Sequence, residues 1–150
     1  MADQPSGMER RMVHRLMAHW RSAQHEDEFP TLASVLVRDL GDIAPFIFVL
    51  KVHDDATIPV FEHVGESYFG ADSSKLISAA ANRVPEKTLL GQTAKNYKRV
   101  IDKTVPFSLS GDFTNAEGAT ILYRSAILPT RDADGYISHL IGGANCKKKV

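Results

Sequence analysis

At 150 residues, 43% of them hydrophobic, the chain has room for one domain with a real core and not for two. Its 18 basic and 18 acidic side chains cancel, which removes the broad basic field that holds nucleic acid and makes a nucleic-acid partner unexpected. A single cysteine, Cys146, rules out an internal disulfide or a thiolate zinc cage and suits a reducing compartment.

The longest apolar run, residues 44–50, is interrupted by Pro45 and falls well short of the roughly 20 residues that span a bilayer. The N-terminus begins Met1-Ala2-Asp3-Gln4 and shows no basic segment followed by an apolar one. Neither membrane insertion nor secretory export is therefore expected, and the predicted location is cytoplasmic.

In chain order, Met8, Met12, Leu16 and Trp20 recur every fourth residue, with Val13 and Met17 beside them and Arg10, Arg11, Arg15 and His19 on the other side. This spacing predicts an amphipathic helix. A polar, acidic stretch over 22–30 connects it to a second short helix over 32–40, which Gly41 stops. Residues 46–52 are rich in β-branched and aromatic side chains and predict a strand; the polar turn 53–57 and the run 60–64 complete a hairpin that Gly65 ends. Short helical pieces at 66–69 and 73–82 and a longer helix over 87–101 follow, punctuated by Gly70, Pro85 and Gly91. Three more strands, over 105–113, 119–128 and 136–144, are joined by the turns Asn115-Ala116-Glu117-Gly118 and Asp132-Ala133-Asp134-Gly135.

No strand–helix–strand alternation forces a parallel sheet, so the expected fold class is α+β with an antiparallel sheet. The helical block between strands two and three is the natural cover for one face, and a cavity between sheet and cover is the expected binding site. The sequence shows no internal repeat, and its one charge run, Lys147-Lys148-Lys149, sits in a basic tail over 147–150 expected to be mobile.

Over residues 44–146 this layout resembles the PAS fold, in which a five-stranded antiparallel sheet with helices on one face surrounds a pocket; residues 1–43 form an N-terminal helical extension. More narrowly, the chain is similar to an alphaproteobacterial PAS subgroup that starts with a tryptophan-bearing helix, here Leu16-Met17-Ala18-His19-Trp20-Arg21. Agreement continues at Phe61-Glu62-His63-Val64-Gly65, at Tyr123-Arg124-Ser125-Ala126-Ile127-Leu128-Pro129, and at Asp134-Gly135-Tyr136-Ile137-Ser138-His139-Leu140-Ile141-Gly142-Gly143. The resemblance implies a regulator that acts through partner proteins in motility or cell-cycle control, and it leaves the ligand unnamed.

Two PAS chemistries are testable on the residues. Light-sensing PAS domains attack a flavin with a cysteine on a central helix, within Gly-x-Asn-Cys; here Gly143-Ala144-Asn145-Cys146 matches the string but falls after the last predicted strand. Haem-sensing PAS domains ligate iron through a histidine on the long helix, and residues 87–101 contain none, leaving His63 and His139 on strands as the alternatives. Flavin and haem are thus not expected, and an unknown small organic ligand is.

Other constellations are weaker. His53-Asp54-Asp55 groups three metal-ligand types, but consecutive turn residues diverge and nothing completes a shell, so no metal is expected. No Gly-x-Ser-x-Gly occurs, and Gly65-Glu66-Ser67-Tyr68-Phe69-Gly70 lacks the lysine and hydroxyl residue of a phosphate loop. Alternation places Arg124 with Leu122, Ala126 and Leu128 and opposite Tyr123; it either pairs with an acid such as Asp112 or grips an anionic ligand.

The expected ligand-binding set is Phe48, Phe61, His63, Tyr97, Tyr123, Arg124 and His139, and the expected partner-binding stripe is Met8, Met12, Leu16 and Trp20, where a homodimer or a signalling protein docks unless the stripe packs on its own sheet. The predicted function is non-enzymatic sensing of a small molecule or protein. Two rivals stand beside it: a ligand-free structural adaptor, and a small cone-shaped α+β isomerase or dehydratase with Asp112, His63 or His139 as general base. The helical block splitting strands two and three favours PAS over the latter.

Overall fold

Runs of β-branched and aromatic residues become strands where they fit a pleated, half-buried surface. A computed structural model of the chain describes residues 6–37, 39–53 and 58–150, with side chains from residue 11 onward. Strands β1 (Ile47–Lys51), β2 (Val60–Val64), β3 (Phe107–Thr114), β4 (Thr120–Arg131) and β5 (Ile137–Lys148) form one five-stranded antiparallel sheet in the order β2-β1-β5-β4-β3. The α+β class and the antiparallel sheet are therefore as expected from the sequence.

Both C-terminal hairpins are closed by side chains. Asn115 Oδ1 accepts from the amides of Glu117 and Ala119, and Asp132 Oδ1 accepts from those of Asp134 and Tyr136; Gly118 and Gly135 supply the positive φ that each turn requires. The two long strands outrun their predicted limits, and β5 continues through Lys147 and Lys148, paired with Leu122 and Ile121 of β4. Half of the expected basic tail, Lys147 and Lys148, is thus strand. The Gly143-Ala144-Asn145-Cys146 string lies within β5 rather than after it.

One face of the sheet is covered by α1 (Ser6–Ala23) and α2 (Leu32–Leu36). Met12, Val13, Leu16 and Trp20 are buried there against Ile47, Val49, Ala126, Leu128 and Ile141. The Trp20 indole N–H donates to the Pro129 carbonyl at 2.7 Å, giving the one polar atom of a buried aromatic its partner. Arg15 adds an ion pair with Asp42, whose carboxyl it holds below the usual carboxylate range. Met12, Leu16 and Trp20 are therefore consumed by the chain's own sheet, which corrects the expectation that they dock a partner; the Met8 side chain lies outside the described residues. The second helix stops at Leu36, short of the predicted 40, and a 3₁₀ turn over Gly41–Phe46 leads into β1.

The other face is covered by 3₁₀ turns at Gly70–Leu76 and Ala81–Arg83 and by α3 (Leu89–Ala94) and α4 (Tyr97–Lys103). The single helix predicted over 87–101 is broken at Asn96, whose side-chain amide donates to the carbonyls of Gln92 and Thr93 and competes with continuation of the helix. Beneath this cover lie Phe48, Leu50, Phe61, Ile127 and Leu140. The sheet is closed at its end by Tyr68, whose hydroxyl donates to the Phe46 carbonyl at 2.6 Å and accepts from the Ala144 amide at 2.9 Å. Enclosure of that hydroxyl pushes its pKa above the ordinary phenol value.

Trp20→Ala is expected to lower the unfolding free energy by about 3–5 kcal/mol, measured by urea denaturation followed by circular dichroism. Tyr68→Phe orphans a carbonyl and an amide and is expected to destabilise by about 1–3 kcal/mol. The folded chain keeps the Tyr68 proton that the unfolded chain releases near pH 10, so this contribution is intact below about pH 10 and falls as pH rises beyond it. A pH series of denaturation midpoints should show that decline in the parent and a smaller one in Tyr68→Phe.

Candidate functional site

The residues expected to line one pocket are distributed over both faces of the sheet. Phe48 and Phe61 meet edge to face under the α3–α4 cover with ring centroids 6.1 Å apart, and Tyr97 packs on the same cluster. Tyr123 faces the same side at the far end, its ring against Phe113 at 5.8 Å, and its hydroxyl is raised in pKa by burial and by the nearby Asp112 charge. Arg124 projects from the opposite face. His63 is exposed on β2, and His139 sits 3.3 Å from Glu62 Oε2 and 3.1 Å from Ser138 Oγ. These seven do not converge.

Where the cavity was expected, the protein has packed core. Phe48 stands opposite Gly142 in the β1–β5 register, and a Cβ at Gly142 would lie 2.3 Å from the Phe48 ring. Phe48, Phe61, Leu90, Ile127 and Leu140 are each less than 2% exposed. The phenyl ring occupies the space that the glycine leaves.

A cleft of about 540 Å³ opens on the other face, between α1 and the outer strands β3 and β4. Its origin is in the sequence of β3. Alternation sends Phe107, Leu109, Gly111 and Phe113 to one face and Ser108, Ser110 and Asp112 to the other. Helix α1 lies over β4 and β5, and beyond them the short serines leave its flank without a partner. Val13, His14, Met17 and Arg21 form the helix wall, at the three- and four-residue spacing that lines up one stripe. Ser108, Ser110 and Arg124 form the sheet wall.

The sheet wall carries a polar row, because Ser110, Arg124 and Asn145 are consecutive register partners across β3, β4 and β5. Arg124 Nη1 donates to Ser110 Oγ at 2.8 Å. The pairing with Asp112 that the sequence suggested does not form: among the described residues no carboxylate pairs with Arg124 or Arg21. Asn145 is 8% exposed and its Oδ1 has no hydrogen-bond partner. The lining gathers one histidine, His14, and the serines Ser108, Ser110 and Ser125 around the two arginines. Arg124 was legible from alternation. His14 and Arg21 were missed because only the docking of α1 brings them to the arginine, and Ser108 and Ser110 because only the β3–β4 register does.

For the rival enzyme, Asp112 and His63 lie on β3 and β2, the two opposite edges of the sheet, and share no site. Among the described residues no group of three or more His, Cys, Asp or Glu is placed to hold a metal; Asp54 and Asp55 lie outside the described residues.

No family model and no curated protein matches the chain in sequence. Solved structures match it in fold. The light-oxygen-voltage domain of the blue-light photoreceptor Aureochrome1, in its dark structure, aligns with a TM-score of 0.50 at 14% identity, over 73% of this chain and 79% of that one. An RNA-binding light-oxygen-voltage receptor aligns with a TM-score of 0.51 at 16% identity, over 81% of this chain but only 35% of its own length. At these identities the likeness is one of architecture: the chain is built on the PAS fold, of which light-oxygen-voltage domains are a variety. The residues present do not fit a cysteine-reactive flavin, because Cys146 lies on β5 and not on a helix of the cover, and Phe48 fills the space over Gly142.

Gly142→Ala tests whether that interior is filled. It is expected to destabilise by about 1–3 kcal/mol through overpacking, and by less in a Phe48→Leu background, as a double-mutant cycle of denaturation midpoints would show.

Proposed function

We propose that the chain is a non-enzymatic PAS-type sensory module whose small-molecule ligand occupies the cleft under α1 instead of the space between sheet and α3–α4 cover. The observation that carries the reading is the contrast between the two faces: core packed over Gly142 on one, and on the other a cleft walled by a separately docked helix. A ligand there touches α1 and the sheet together, so binding biases how firmly the helix sits, which is what a sensor must couple. Because these 150 residues hold no output unit beyond the PAS fold, the signal passes to a partner protein or a further domain. The resemblance to the alphaproteobacterial subgroup supports a place in motility or cell-cycle control, and the charge balance supports a protein partner over nucleic acid.

Native mass spectrometry against the denatured mass, followed by thermal melting in a fractionated metabolite extract, tests this. At 100–1,000 times its Kd a ligand adds about 2.7–4.1 kcal/mol of stability, expected here as a rise of roughly 5–16 °C in Tm for a chain of this size. Ser110→Trp, which fills the cleft from an exposed position, is expected to fold and to lose that rise. A rise that persists in Ser110→Trp would place the ligand elsewhere and overturn the reading.

A further inference from the structure

We infer that the cleft between α1 and the β3–β4 edge takes a small organic anion, its carboxylate or phosphate group held between Arg124 and Arg21 and its apolar part lying against Val13 and Met17. The inference rests on the sensory reading above and adds the chemistry of the ligand.

Arg124 is the leading reason. It projects from the middle of β4 on the face where its strand neighbours Ala126 and Leu128 are fully buried core. A guanidinium at the margin of an apolar core is costly unless its charge and donors are met. It carries five N–H donors in a planar fork, and Arg124 makes one side-chain hydrogen bond, to the neutral Ser110 hydroxyl. Asp112, two residues along the same face of β3, would complete a structural ion pair, yet none forms. The fork is therefore held by Ser110 at the half-buried wall of the open cleft, with no carboxylate beside it.

Arg21 brings a second cation to the same cleft from the facing helix, also without a carboxylate. In a chain whose charges sum to zero, two unpaired arginines on facing walls are a local feature and not a consequence of a basic protein. The guanidinium fork matches the two oxygens of a carboxylate or phosphate. Between the arginines and the helix axis, Val13 and Met17 offer an apolar surface, and methionine adapts to varied shapes. The volume, about 540 Å³, lies within the usual range for small-molecule sites.

The test is isothermal titration calorimetry at fixed ionic strength with phenyl phosphate, benzoate and the uncharged phenol. Saturable binding of phenyl phosphate or benzoate, with none of phenol, is expected. Arg124→Gln, which keeps a donor for Ser110, should weaken it by about 10–100-fold, and Arg21→Gln should weaken it in the same direction. Lys98→Gln removes one positive charge from α4, where Lys98 pairs with Asp102, and should leave binding unchanged; equal losses in Lys98→Gln and Arg124→Gln would reduce the effect to general charge and overturn the inference. No saturation by either anion up to about 10 mM would overturn it as well. Phenol binding as tightly as the anions would overturn the anionic ligand while leaving a sensory cleft in place, whereas failure of all three compounds together with an unshifted Tm in metabolite extract would remove both readings.

Discussion

The central strand β5 is buried on both sides between residues 140 and 144, and a sheet buried on both sides needs two covers. The chain supplies them from different places. The segment between β2 and β3 folds into short helices and 3₁₀ turns over one face, and the N-terminal helix closes the other. The glycines of β5 make room on each face: a Cβ at Gly142 would meet the Phe48 ring of the neighbouring strand β1, and one at Gly143 would stand 3.1 Å from Leu16 of α1. A larger side chain at Gly143 would press on α1, and one at Gly142 would displace the Phe48 ring.

The two covers differ in kind, and the candidate site follows from the difference. The α3–α4 layer is continuous with the strands on either side and packs down on Phe48, Phe61 and Leu140. Helix α1 is an 18-residue rod laid across β4 and β5, with a hydrogen bond from Trp20 at one point and the Arg15–Asp42 ion pair at another. A rod on a twisted sheet cannot follow the surface to its edge. The cleft is the gap that results, and the residues that border it are those on the flank of the helix and on β3 and β4. That they include two arginines, three serines and no acid is a property of the sequence, not of the geometry.

Much of this architecture was legible in the residues. Element order, both asparagine- and aspartate-closed hairpins and the side of β4 on which Arg124 lies all follow from local pattern, because turn chemistry and alternation are local rules. Strand ends were not, since Cys146, Lys147 and Lys148 stay in the sheet only because β4 is long enough to pair with them. The break at Asn96 depends on which of two hydrogen-bonding options a side chain takes. Least legible was the site. An apolar stripe reads the same whether it meets its own sheet or another chain, and nothing local in Phe48 or Gly142 tells that one fills the space left by the other.

The contacts that lock the two layers join distant parts of the chain: Trp20 meets Pro129 across 109 residues, and Tyr68 meets Ala144 across 76. During synthesis α1 leaves the ribosome before β4 and β5, which supply Ala126, Leu128 and Ile141 to the surface that its apolar stripe covers. Such long loop closures slow folding and lengthen the time that apolar surface is exposed. The order of translation thus makes the N-terminal helix the last element to find its place, so nascent chains that have emerged only as far as β3 are the ones that chaperones would have to shield.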